Sequence, residues 1–180
     1  MKYFFTADTH FNHQKILEYD ERPFRSIEHM DREIIRRWNE RVKPEDVVIH
    51  LGDFGFLKGD KTYTYYRSQL NGNLIHVEGN HDNNNSMNAI LQCIVVKYGG
   101  LDWWCEHRPS FRFKYNLCGH VHNLWKVSRQ GQSTCINVGV SQWDYYPITI
   151  DEILRATNIP TPFYTPEFGV YEKNYPRQRG

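Results

Sequence analysis

Five times along this chain an apolar run ends in a polar residue of the kind that binds metals or moves protons. Asp8 follows "KYFFTA", Asp53 follows "DVVIHLG", Asn80 follows "LIHVEG", His107 follows "LDWWCE" and His120 follows "YNLCG". Each run is short, rich in aromatic or β-branched residues and bounded by glycine or polar loop, the pattern of a buried strand. In open α/β sheets ligands bind in the crevice outside the carboxyl ends of the strands. The chain is therefore expected to be α/β, with these five strand ends gathered at one edge.

The segments between the runs fit that plan. "SIEHMDREIIRRWNERV" carries apolar residues at Ile27, Met30, Ile34, Trp38 and Val42, a helical spacing with Ser26 as N-cap and Pro44 beyond the end. "TYTYYRSQL" is predicted helical up to the turn "NGN", a short helix is expected around Ser86 to Leu91, and "IDEILRAT" is a third short helix. "CIVVKY" reads as a strand turning at Gly99-Gly100, and "WKVSRQGQSTCINVG" as a hairpin turning near Gly131. Beyond Asn158 the chain holds four of its eight prolines and little periodicity. Residues 1–158 thus read as a single domain and 159–180 as a Pro-rich wrap or tail, a size that suits one core.

Charge and cysteine usage narrow the partners. The formal net charge is +1 with no long block of one sign, so charge does not indicate a nucleic-acid partner or an anionic membrane surface. No apolar run approaches the roughly 20 residues that span a bilayer. "MKYFFTADTH" reads as a first strand and not as a signal peptide. Cys93, Cys105, Cys118 and Cys135 form no CxxC pair, so they are expected as reduced, partly buried thiols in a cytoplasmic protein.

The polar segments themselves are "ADTHFNH", "LGDF", "EGNHD", "CEHRP" and "CGHVH". Taken singly, each is weak. In an extended segment His120 and His122 would project from one face, either as solvated hairpin residues or as metal ligands. Taken together and in this order they resemble the calcineurin-like metallophosphoesterase superfamily: DxH, then GD, GNH with a following acid, H, and GHxH. The resemblance runs from Asp8 to His122 and is closest to the small stand-alone bacterial and phage phosphoesterases. It implies a four-layer αββα double β-sandwich flanked by helices. It also implies two divalent transition-metal ions: Asp8, His10 and His122 on the first, Asn80, His107 and His120 on the second, and Asp53 bridging. Mixed imidazole and carboxylate donors suit Mn, the first expectation, or Fe, Zn or Ni. His81 would be the catalytic proton donor and Asp82, where the family usually has glutamate, would orient its ring. The implied activity is hydrolysis of a small phosphate-ester or nucleotide-type substrate by in-line attack of a metal-activated water. A metal-binding scaffold without activity and a nuclease stand as the alternatives.

Neighbouring residues leave choices open. Asn12 and His13 would either touch substrate phosphate or fix the loop, and Arg108 is either a phosphate clamp or a surface ion-pair partner. The segment "GDFGFLKGD" lacks the arginine that some branches place after GD. A phosphodiester, with one negative charge, is therefore expected to be preferred over a monoester. Trp103, Trp104, Trp125 and Trp143 either line a cleft for the second ester arm or pack in the core. His50 and His76, inside strands, are expected as core histidines.

Overall fold

The computed structural model describes residues 1–82, 91–159 and the strand Gly169–Glu172. The helix expected around Ser86 lies outside the described residues, apart from Leu91, which forms a bridge with Val77.

Three parallel strands make the smaller sheet, β1 (Tyr3–Thr6), β2 (Val47–His50) and β3 (Asn73–His76), in the order β1-β2-β3. The larger sheet holds β4 (Cys93–Tyr98), β5 (Leu101–Glu106), β6 (Tyr115–Cys118), β7 (Val127–Gln130), β8 (Ser133–Asn137) and β9 (Gly169–Glu172) in the order β7-β8-β6-β5-β4-β9. Its three middle strands β5, β6 and β8 run parallel, and β4, β7 and β9 are antiparallel to their neighbours. Part of the Pro-rich tail, β9, is thus built onto the sheet edge. The expected hairpin is β7–β8, with Gly131 at φ +58° in its turn.

Alternation along the strands explains why the runs read as continuously apolar: both faces are buried. Phe5, Ile49, Ile94, Val96, Trp103, Cys105, Leu117 and Ile136 meet between the sheets, together with Ile150, Ile153 and Leu154 of α4 (Ile150–Thr157). Their strand neighbours Phe4 and Val48 face the opposite way, onto α2 (Ile27–Arg41) and α3 (Tyr63–Arg67) through Met30, Ile34, Trp38 and Tyr66. On the outer face of the larger sheet Trp104 stacks on Phe113 at 4.0 Å. Trp103 therefore packs in the core between the sheets, and Trp104 packs under Phe113 on the outer face. The two-sheet α/β architecture is the expected one.

The predicted helix from Ser26 is α2, and the Ser26 hydroxyl accepts from His29 N at 3.2 Å, a cap of about 1 kcal/mol. No helix among the described residues is long and apolar enough to cross a membrane. All four cysteines are free and buried.

Register then delivers the site. Thr6, His50 and His76 are paired across the smaller sheet, and Asp8, Asp53 and Asn80 lie two, three and four residues beyond them. Cys105 pairs with Leu117 in the larger sheet, and His107 and His120 lie two and three residues beyond. Parallel pairing puts these carboxyl ends on one edge.

Candidate metal centre

The loops carrying the five motifs are zipped together by main chain. Asp8 N donates to Gly52 O at 3.0 Å, His10 N to Asp53 O at 3.1 Å and Gly119 N to His107 O at 3.0 Å. The glycines before Asp53, Asn80 and His120 permit this approach. A Cβ on Gly79 would stand 2.2 Å from both Asp53 N and Asp53 Oδ1, and one on Gly119 2.7 Å from Asp8 Oδ2. Each motif glycine thus seats one ligand loop directly against the ligand of another.

Two clusters result, and they share one residue. Asp8, His10, Asp53 and His122 offer donor atoms within 4.8 Å of one another, and so do Asp53, His107 and His120. Asn80 joins the second cluster through Oδ1, 3.0 Å from His107 Nε2. All seven expected ligands are therefore brought together. Five of them, Asp8, His10, Asp53, His120 and His122, have φ between +46° and +71°. Left-handed backbone outside glycine is uncommon and concentrates at functional sites, where surrounding structure enforces it.

The same angles correct the reading of the HxH pair. Strand β6 ends at Cys118, and His120 and His122 lie in a turn beyond it. Their convergence comes from two left-handed residues and not from the alternation of a strand.

The donor set fits metal ions. Asp53 Oδ2 and His10 Nε2 are buried without a hydrogen-bond partner, although they lie 3.6 Å apart and Asp53 Oδ2 is 3.3 Å from His107 Nε2. Buried polar atoms are rarely left so, and an ion is one reason for it. The ring nitrogens are also sorted: His107 Nδ1 donates to Leu51 O at 2.8 Å, which leaves Nε2 directed at Asp53. Such a bond on the far nitrogen sets the tautomer of a metal-binding histidine.

Without ions the electrostatics of the cluster are divided. Burial opposes charge on His107, yet the Asp53 and Asp8 carboxylates outweigh it and raise its pKa to about 9. Burial, with His107 and Arg108 nearby, depresses His120 to about 4. Burial together with Arg22 and His122 holds His10 well below the usual histidine range. Burial also raises Asp8 against the pull of His107 and His122. For Asp53 burial is outweighed by His107, and the carboxyl falls below its ordinary value.

His81 belongs to neither cluster. Its N–H donates to Asp53 Oδ1 at 2.9 Å, and its ring stands 5.6 Å from that of His10, half-buried at the rim. Asp82 is where the expectation fails. Its Oδ2 accepts from Asp53 N at 2.9 Å and Gly79 N at 2.8 Å, and its Oδ1 from Phe54 N at 3.0 Å. The carboxylate clasps the GD and GN loops, since three main-chain donors have converged on it where a ring was expected. Asn12 is likewise spent on structure: its N–H points to Asp31 at 3.3 Å and its Nδ2 donates to Phe56 O at 2.9 Å. His13 remains at the site, with Nδ1 3.3 Å from His10 Nδ1 and its ring stacked on Phe56 at 4.6 Å. Arg108 Nη1 lies 2.9 Å from His120 Nε2, at the exposed side of the second cluster.

His50 is a core histidine and His76 a partly buried one. Thr9 Oγ1 donates to Phe54 O and so receives the His50 Nε2 proton at 3.0 Å, while His76 Nε2 meets Tyr63 Oη at 3.1 Å. Sequence reasoning passed over Asp20, Arg22 and Asn137, all buried against the centre. Asn137 Nδ2 donates to His122 O at 2.7 Å. A buried-strand reading of "INVG" contained that signal only as a lone polar residue after an apolar one.

Comparison with known proteins agrees with this geometry. The sequence profile of the calcineurin-like phosphoesterase superfamily domain matches residues 1–147. An uncharacterized protein of Methanocaldococcus jannaschii is 30% identical over 165 residues, which cover 86% of this chain and 90% of that protein. The crystal structure of a protein of unknown function from Aquifex aeolicus superposes with a TM-score of 0.66 at 26% identity, covering 86% of this chain and 98% of that one.

Proposed function

This chain belongs to the calcineurin-like phosphoesterase superfamily, a family of metal-dependent phosphoesterases, and from that premise we propose that it works through a two-ion centre and prefers phosphodiesters. The observation that carries the reading is the pair of ligand clusters sharing Asp53. Seven donors are more than one tetrahedral ion takes, and a carboxylate has two oxygens with which to span a pair. Asp8, His10 and His122 would hold one ion, Asn80, His107 and His120 the other, with Mn the first candidate and Fe, Zn or Ni the alternatives. Such ions, when bound, acidify a water and draw charge from phosphoryl oxygens.

The chain's own groups do the rest. His81, on the rim beside His10, is positioned to hand a proton to the departing oxygen. Arg108 contributes a guanidinium at the opposite side, suited to one non-bridging phosphate oxygen. Arg22 also lies close to the centre, but its guanidinium is buried and spent on Asp20 and on the carbonyls of Asp8 and Thr9. The small supply of cationic groups beyond the ions favours a singly charged diester, such as a nucleotide-type phosphodiester, over a dianionic monoester.

The test has two parts. Elemental analysis of loaded protein should give two ions per chain, and Asp53→Asn should lose both. With either Mn, Ni, Zn or Mg added, kcat/KM for bis-p-nitrophenyl phosphate should exceed that for p-nitrophenyl phosphate. One ion per chain would overturn the two-ion reading, and a monoester preference the diester reading.

A further inference from the structure

Between α1 (Ile16–Tyr19) and α2 runs the segment "DERPF", which no motif claims. Two of its charged side chains, Asp20 and Arg22, are nevertheless wholly buried and paired, with Arg22 Nε 2.8 Å from Asp20 Oδ2. Removing two charges from water is costly unless further groups use them. Arg22 donates its remaining nitrogens to Asp8 O at 2.7 Å and Thr9 O at 3.0 Å, inside the left-handed loop that carries Asp8 and His10. Asp20 faces the other way. Its Oδ2 accepts from the Ser141 hydroxyl and lies 3.4 Å from His122 Nδ1, which is buried and makes no hydrogen bond in this arrangement, so that Asp20 is the carboxylate placed beside it.

A carboxylate serving only a guanidinium is commonly met side-on by two nitrogens. Here one oxygen accepts from Arg22 and Ser141 and also faces the His122 Nδ1 atom, while Arg22 turns its outer nitrogens to the DxH loop. We infer that Asp20 is a positioning residue for the first ion, taking the Nδ1 proton of His122 so that Nε2 is left as the metal-binding nitrogen. Arg22 and Ser141 hold Asp20 in place. The inference rests on the two-ion reading and deepens it. A carboxylate behind a ligand imidazole fixes its tautomer and orientation and raises its basicity. On the second ion's side the corresponding partner of His107 is a neutral carbonyl, Leu51 O. The two halves of the centre are therefore unequal, and the ion held by Asp8, His10 and His122 is the more firmly retained.

The full-length chain loaded with Co2+ would be titrated with a chelator, following metal content and the visible Co2+ bands. Asn80→Ala, which weakens the other half, marks which ion is which. Asp20→Asn should release the first ion at about 10- to 100-fold lower chelator, shift only that ion's bands and leave the second ion unchanged. Ser141→Ala keeps the Asp20–Arg22 pair intact and should weaken the same ion about three- to tenfold, so the inference is testable even where Asp20→Asn does not fold. If neither variant changes release, or if both ions weaken equally, Asp20 is a fold-supporting residue and the inference is overturned. A wild-type chain that takes up no Co2+ overturns the two-ion reading and this inference with it. Two ions bound by wild type and unaffected by either variant overturn the inference alone.

Discussion

Replacing Asp82 separates two roles for the acid after His81. Its side chain is 1% exposed and accepts three main-chain N–H groups, from Asp53, Phe54 and Gly79. Asp82→Ala strands all three, and a buried unsatisfied donor costs about 1–3 kcal/mol. The sum, about 3–9 kcal/mol, rivals the whole stability of a typical domain, about 5–15 kcal/mol, although water entering the gap lowers it. Asp82→Asn is milder. Its oxygen can stay on Asp53 N and Gly79 N, but its amide nitrogen then confronts Phe54 N, donor against donor. One lost bond with two facing donors left unsatisfied, Phe54 N and the new amide nitrogen, amounts to about 2–6 kcal/mol before relaxation. The GD and GN loops should also part slightly, and with them Asp53 and Asn80. We expect Asp82→Asn to unfold at lower urea concentration and to hold its ions less tightly, with turnover falling in parallel for every leaving group. Urea unfolding with and without EDTA, metal content and aryl phosphodiester hydrolysis measure the three effects. A variant with the wild-type unfolding midpoint and metal content, but turnover lost only for poor leaving groups, would refute the clasp and restore Asp82 as the partner of the His81 ring.

Further outcomes follow from the same geometry. His81→Ala should keep both ions and lose about 10²–10⁴-fold in turnover for poor leaving groups, and much less for p-nitrophenolate; an equal loss across leaving groups removes the proton-donor role. Gly79→Ala places a Cβ 2.2 Å from Asp53 N and Oδ1, so the shared ligand must move, and metal analysis should find both ions depleted. Burial raises Asp31 from 3.8 to about 6, against the hydrogen bonds from Tyr66 Oη and Asn12 N. The folded chain thus binds this proton more tightly than the unfolded one, so its contribution is complete below pH 4 and lost as pH rises through 6. That contribution is about 3 kcal/mol, and urea midpoints from pH 4 to 7 should show the decline in wild type and not in Asp31→Asn.

What the sequence determined by itself is the part governed by local periodicity. Strands buried on both faces require unbroken apolar runs, so β1, β2, β4, β5 and β6 announced themselves. Helix α2 did so through the spacing of Met30, Ile34 and Trp38 behind the Ser26 cap. The residues at the strand ends were equally apparent, because a ligand must stand where a strand stops and a loop begins. Parallel register then required them to meet, which is why the seven expected ligands converge.

Tertiary structure alone decided what long-range contact selects. His120 and His122 converge through left-handed backbone that no residue pattern specifies. Asp82 was assigned to its sequence neighbour, but its oxygens were taken by main-chain donors that folding brought closer. Whether Trp103 and Trp104 wall a cleft was decided by what packs on the faces of β5: the inter-sheet core covers Trp103, and the Phe113 ring covers Trp104. Asp20 reaches His122 across about a hundred residues of chain, a distance over which periodicity carries no information. Ligands sit at strand ends because the backbone puts them there, whereas the groups that hold the ligands are chosen by proximity in the folded state, and proximity exists only once the sheets have packed.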